Sequence, residues 1–147
     1  DNSSLIYKNF ERLNLPKLGN FLELFKNSNS KTIVICQGAD ILNEILKVQK
    51  ELKELKNVSL FLAVWLNKVN NSEILKLKNK KIIIFQSSSD FGSYDSFLAK
   101  KILSQGCKIK KFKSVSINSI PACGQNDEVL SHHNLSALKI LNAINNF

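Results

Sequence analysis

The chain has 147 residues, enough for one domain that buries roughly two thirds of its unfolded surface. Its apolar fraction of 44% points to a soluble globular protein and excludes a disordered or fibrous one. No run approaches the ~20 apolar residues of a membrane span, so no membrane partner is expected. The net charge of +9 raises the question of a polyanion, but Arg12 is the only arginine among 21 basic residues. Lysine is a flexible point charge without the guanidinium fork that reads bases and phosphates. The lysines are dispersed along the chain, and aromatic residues do not alternate with them as on a stacking platform. A solvated lysine surface and no nucleic acid is the expectation.

No basic-then-apolar leader opens the chain. It begins at Asp1 and holds no methionine, which suggests a piece of something longer. Cys36, Cys107 and Cys123 are too few and too far apart for a disulfide framework or a zinc site. Cys36 lies in an apolar run as a buried small hydrophobe. The cysteine usage points to a reducing compartment, hence the cytoplasm, or a plastid-type organelle if the host has one.

In chain order, residues 1–30 read as a lead-in, with the turn Leu15-Pro16-Lys17-Leu18-Gly19 and one extra strand, Phe21 to Phe25, outside the main set. Residues 31–147 read as a single α/β domain. Lys31 to Cys36 is a β-branched run, as expected of a strand covered on both faces. Gly38 makes the following turn and Asp40 is the expected N-cap. Apolar residues from Ile41 to Leu55 recur at helical spacing, predicting one helix to about Lys56. Val58 to Trp65 is the next strand. Asn71-Ser72 caps a short helix, Glu73 to Leu77. Lys81 to Phe85 is a third covered strand and Ser87 to Tyr94 a small-residue turn. Tyr94 to Ser104 is a helix stopped by Gly106. Lys108 to Val115 reads as an edge strand, its lysines discouraging further pairing. Two helices close the chain, near Asn126 to His133 and Leu135 to Asn146. Such alternation predicts a three-layer αβα sandwich on a mostly parallel sheet.

Candidate chemistry is sparse. There is no Gly-x-Ser-x-Gly elbow, no Gly-x-Gly-x-x-Gly fingerprint and no P-loop. Ser89-Asp90 with His132 or His133 is the one conceivable triad, without an oxyanion signature beside it. The amides of Gly38-Ala39-Asp40 open a helix where an anion could sit, although the Asp40 carboxylate would repel one. Adjacent histidines on a helix lie about 100° apart, a poor arrangement for joint metal ligation. Their place in the last helical turn suits the helix dipole instead. Trp65 and the phenylalanines fill the core or a buried domain interface. The residues therefore nominate no catalytic, cofactor-binding or metal-binding set.

Asn134 is more telling. It closes one helix just before Leu135 and the cap Ser136, where a left-handed residue is needed, glycine first and asparagine second. Read with glycine restored, Asn134-Leu135-Ser136 becomes Gly-Leu-Ser, and Lys108 to Ile144 resembles the end of the transketolase C-terminal domain family. Leu15-Pro16-Lys17-Leu18-Gly19 resembles that family's lead-in, Leu-Pro-x-x-Gly-Lys. Thr32 to Gly38 resembles Val-Thr-Ile-Val-x-x-Gly, and Lys81 to Leu98 resembles its strand and glycine-rich turn. Gln86-Ser87 stands where the family usually carries acidic residues, and Phe91-Gly92-Ser93-Tyr94 replaces Gly-Gly-Phe-Gly. Within the family the pattern is most similar to the 1-deoxy-D-xylulose-5-phosphate synthase branch, then transketolase, then the β subunits of 2-oxo acid dehydrogenases.

The resemblance implies a five-stranded mixed sheet with one antiparallel strand. It also implies that thiamine diphosphate and its Mg bind on other domains. The domain itself would pack against the pyrimidine-binding domain of the same or a partner chain and stabilise a homodimer. A non-catalytic interaction or anion-binding domain of the same fold is the alternative from another functional class.

Overall fold

The computed structural model describes residues 14–89, 93–117 and 123–147. Strands β1 (Leu22–Phe25), β2 (Thr32–Gln37), β3 (Val58–Leu62), β4 (Lys81–Ser89) and β5 (Lys111–Ile117) form one sheet in the order β1-β3-β2-β4-β5. β1 runs antiparallel to β3, whereas β2, β3, β4 and β5 are mutually parallel. The helices are α1 (Ala39–Lys47), α2 (Gln49–Glu54), α3 (Asn71–Lys76), α4 (Tyr94–Ser104), α5 (Asn126–His132) and α6 (Ala137–Asn145). The mixed five-stranded αβα sandwich implied by the resemblance is the fold observed.

Strand periodicity divides the core in two. Val34, Cys36, Leu60, Leu62, Ile83 and Phe85 face one side, where they meet Ile41, Leu42, Ile45 and Leu52 and the closing residues Leu130, Leu135, Ile140 and Ile144. Ile33, Ile35, Phe61, Ile82 and Ile84 face the other and pack on Ile74, Leu77, Leu98 and Ile102. β2 and β4 are apolar on both faces because helices cover both. Cys36, fully buried, donates Sγ–H to the Phe61 carbonyl at 3.4 Å, and burial pushes its thiol up to about 12.

Several local expectations change. The single helix expected from Ile41 to Lys56 breaks at Val48 (φ −116°, ψ 15°), where no Gly or Pro marks a break. Asp40 is not the N-cap. Gly38, at φ 97°, occupies that position, and Asp40 lies exposed in the first turn. Asn70 rather than Asn71-Ser72 caps α3. β3 stops at Leu62 instead of Trp65, although Ala63 N–H still donates to the Cys36 carbonyl at 2.9 Å. β4 runs on to Ser89, through residues read as turn. β5 is an edge strand as expected but begins at Lys111. Asn134 is left-handed, at φ 62°, the conformation its place between two helices requires. Asn79, at φ 60°, is a second such residue that nothing in the sequence pattern singled out.

Two buried glutamates tie the ends of the described chain to the sandwich. Glu44, 5% exposed, accepts from Lys47 Nζ through one oxygen and from Ala137 N–H (2.9 Å) through the other. It thereby caps α6, a task the sequence had given to Ser136, whose side chain makes no cap bond. Glu73, 2% exposed, accepts from Lys76 Nζ (2.8 Å) and from Phe21 N–H (3.1 Å). Lys76 also reaches Glu23 at 2.6 Å. Asn70 Nδ2 donates to the Leu18 carbonyl at 2.9 Å and to Asn20 Oδ1 at 2.8 Å. A Cβ on Gly19 (φ 82°) would lie 2.7 Å from Asn70 Oδ1, so this contact requires glycine. The described part of the lead-in, through β1, is built into the sheet.

Candidate functional site

In an open α/β sheet, ligands favour the carboxyl ends of the strands where the winding reverses. Here β2 connects to β3 on one side, and β3 connects across β2 to β4 on the other, so the reversal lies between β2 and β4. Gln37 and Gln86 are register partners at that point. Gly38 follows, and a Cβ there would meet Ser87 Oγ at 2.7 Å. The strand ends are thus pressed together, and side chains rather than a broad opening line the junction.

Gln86, fully buried, receives the Asp95 N–H on Oε1 at 3.1 Å, so a neutral amide caps the start of α4 where the family usually carries an acid. Asp95 Oδ1 accepts from Ser93 Oγ and from Ser96 N–H (2.7 Å). Burial works to raise the Asp95 carboxyl, but hydrogen bonding led by Ser93, with Ser114, Gln86 and the Ser96 amide behind it, together outweighs it and holds the group below the usual carboxylate range. Ser114 Oγ and Gln86 Nε2 act from beyond regular hydrogen-bond geometry. Burial likewise raises the Tyr94 phenol, with the Glu73 carboxylate adding to the effect. Two shallow hollows flank Gln37. An apolar one of about 230 Å³ is lined by Leu42, Leu62, Ala63, Val64 and Leu66, and a mixed, mainly apolar one of about 160 Å³ by Leu66, Ser88, Ser93, Tyr94 and Phe97. Gln37 Oε1 and Ser88 Oγ are buried there without hydrogen-bond partners among the described residues.

A larger cleft of about 680 Å³ lies between β5 and the closing helices, with Asp95, Lys113, Ser114, His132, His133 and Lys139 among its lining. Its size is that of a small-molecule pocket. His132 is exposed and His133 is 5% exposed, with ring centroids 4.9 Å apart in an edge-to-face arrangement. Lys139 Nζ donates to Asn134 Oδ1 at 3.1 Å. The cleft offers donors, one held carboxylate and two ammonium groups, an arrangement that can bind polar or anionic groups.

The conceivable triad receives no support as a unit. Ser89 ends β4, Asp90 lies outside the described residues, and the histidines line the cleft beside β5. Ile120-Pro121-Ala122 and Phe91-Gly92 also lie outside the described residues. Gly38 does open α1, but with Asp40 exposed rather than capping. Trp65 is half-buried with its indole N–H buried and unpartnered among the described residues, more a group at a rim than a core filler. Sequence reasoning marked Gln86 only as a departure from the family pattern and missed its bond to the α4 start, Asp95 and the β5 cleft; an acid in a helix's first turn was the available signal for Asp95.

The sheet order, the single antiparallel edge and the two helical layers define the transketolase C-terminal domain fold. Among solved structures, a split-gene transketolase described as an inactive β4 tetramer superposes with a TM-score of 0.70 at 16% identity, covering 89% of this chain and 43% of that one. Transketolase from Campylobacter jejuni superposes at 0.63 with 17% identity, covering 92% and 20%. A transketolase mutant from Pichia stipitis superposes at 0.59 with 14% identity, covering 99% and 23%. The chain therefore spans less than half the length of these relatives, and at such identities the likeness is one of fold. No family model and no curated protein sequence matches the chain.

Proposed function

We propose that this chain serves as the C-terminal domain of a thiamine-diphosphate-dependent ketol transferase. The observation that carries the proposal is coverage: 89–99% of the chain superposes on transketolases. On this reading thiamine diphosphate and Mg sit on other domains. The cofactor supplies the carbanion chemistry. This domain contributes packing against a pyrimidine-binding domain and stability to a homodimer.

Within that class we favour the 1-deoxy-D-xylulose-5-phosphate synthase branch, on the patterns at Leu15–Gly19 and Asn134–Ser136. Assay of the parent protein tests it. Condensation of pyruvate with glyceraldehyde 3-phosphate supports the branch. Ketol transfer between sugar phosphates instead assigns transketolase, and neither activity overturns the proposal. The split-gene relative favours a second arrangement, in which such a domain resides on a subunit separate from part of the cofactor machinery. Co-purification of this chain with a distinct cofactor-carrying subunit would distinguish that arrangement from a single long polypeptide.

A further inference from the structure

The lysines that look dispersed in sequence do not stay dispersed in the fold. Lys78 and Lys80 lie in the turn into β4, Lys81 opens β4, Lys108 and Lys110 lie in the turn into β5, and Lys111 opens β5. Backbone bonds lock these segments together at the amino end of the sheet. Asn79 N–H donates to the Lys108 carbonyl at 2.8 Å, Lys110 N–H to the Lys80 carbonyl at 2.8 Å, and Lys81 N–H to the Lys31 carbonyl at 2.9 Å. Lys81 and Lys111 are register partners, and both ammonium groups face the Phe147 ring, at 5.7 and 4.6 Å. Neighbouring strands lie about 4.8 Å apart, so successive lysines fall within one Debye length, ~8 Å at physiological salt. No aspartate or glutamate occurs in residues 74–89 or 96–126. Among the described residues the carboxylate ion pairs go to Lys26, Lys47 and Lys76; Lys80 Nζ donates to the Ser30 carbonyl and Lys81 and Lys111 Nζ to the Phe147 carbonyl, so the exposed Lys78, Lys108 and Lys110 are the charges most open to a partner.

Apolar side chains stand at the same end. Leu75 is 64% exposed near the end of α3, and Leu103 is 79% exposed near the end of α4. Cys107 joins their two corners, donating its amide N–H to the Ile102 carbonyl (3.0 Å) and Sγ–H to the Ile74 carbonyl (3.4 Å). The result is an acid-free lysine edge rimmed by exposed leucines, with Phe147 between two of the lysines.

We propose that this edge is a peripheral docking surface for an anionic lipid bilayer. Lysine charges near such a surface each add attraction, and exposed leucines beside them can enter the interfacial region while lysine stems snorkel. The leucines decide against nucleic acid, which would use the ammonium groups on phosphates and give the leucines nothing. Among the described residues the edge carries no arginine, the side chain suited to bidentate contacts with bases and phosphates. Contact is superficial: among the described residues no helix is long and apolar enough to cross a membrane.

Co-sedimentation of the whole chain with phosphatidylserine–phosphatidylcholine vesicles at 0.15 M salt tests the proposal, with phosphatidylcholine vesicles and a DNA duplex as the other arms. Binding is expected to the anionic vesicles only, weakening as salt rises. The triple variant Lys78→Gln, Lys108→Gln, Lys110→Gln should lose about a hundredfold in partition, the scale expected of three surface lysines. A charge-matched control, Lys17→Gln, Lys50→Gln, Lys68→Gln, should lose far less. The double variant Leu75→Ser, Leu103→Ser should lose about tenfold on vesicles. No binding to anionic vesicles, equal loss in triple variant and control, or duplex binding tighter than vesicle binding and indifferent to the leucine changes would each overturn it. Circular dichroism melting of each variant separates lost binding from lost folding.

Discussion

The two faces of the sandwich use the same device with different reinforcement. On one, Glu44 joins Lys47, three residues on, to the amide that starts α6, 93 residues away. On the other, Glu73 joins Lys76, three residues on, to the amide of Phe21, 52 residues away. Each buried carboxylate satisfies both oxygens, which is what makes burial of the charge tolerable. The Glu73 side is braced further by Lys76–Glu23 and by Asn70 on the Leu18–Asn20 turn. Glu44 is the only side-chain bond found to the α6 backbone start among the described residues. The front of the described chain is therefore tied at several points, whereas the start of the closing helix has one side-chain tie, its far end being held by Lys81 and Lys111 Nζ on the Phe147 carbonyl at 2.9 and 3.3 Å.

That difference can be broken experimentally. Glu73→Ala should have the largest effect, about 3 kcal/mol in urea unfolding, because it strands the buried Phe21 N–H and removes one of two Lys76 partners. Glu44→Ala should cost about 2 kcal/mol, since Ala137 is half-buried and Lys47 can turn to water. Hydrogen exchange distinguishes the two variants beyond magnitude: Glu44→Ala should speed exchange in α6 while β1 stays protected. Equal exposure of β1 in that variant would mean the two ties are not independent. Asn70→Ala should cost about 1–2 kcal/mol, with the loss showing first as proteolysis within the Leu15–Asn20 turn.

The smallest effects are those of pH. Burial alone would lower the Lys76 ammonium, but its bonds to Glu23 and Glu73 prevail and raise it. Its contribution is complete below the ordinary lysine range and is lost as pH climbs through the raised value. The raised Tyr94 phenol, on the same face, acts in the same direction. Alkaline destabilisation above about pH 10 should therefore lessen in Lys76→Met. At the acid end the lowered Asp95 carboxyl contributes stability above its ordinary value near pH 4, and this fades as pH falls through the depressed one. Asp95→Asn should flatten stability below pH 4, and an unchanged acid limb would show that its hydrogen bonds do not stabilise the fold.

Legibility followed the range of the forces involved. The β2 and β4 cores were readable because an unbroken β-branched run can hardly be anything but a doubly covered strand, and α4 was readable to the residue because Tyr94 and Gly106 bracket it. Asn134 was readable because a helix must be closed locally. The roles of Glu44 and Glu73 were not, since a glutamate three residues before a lysine reads as a surface pair until topology brings a distant amide to it. The lysine edge was hidden for the same reason: strand register, not sequence spacing, sets Lys81 beside Lys111. Gln86 stood out only as a departure from the family pattern, and its role was hidden because its partner, the Asp95 amide, is supplied by the following helix.

The central claim is that this domain holds a fold together while the cofactor resides elsewhere. Calorimetric titration of the purified chain with thiamine diphosphate and Mg²⁺, beside the same titration of the parent protein, tests it most directly. The account predicts heats of dilution alone for the chain and saturable binding for the parent; saturable binding by the chain itself would contradict it.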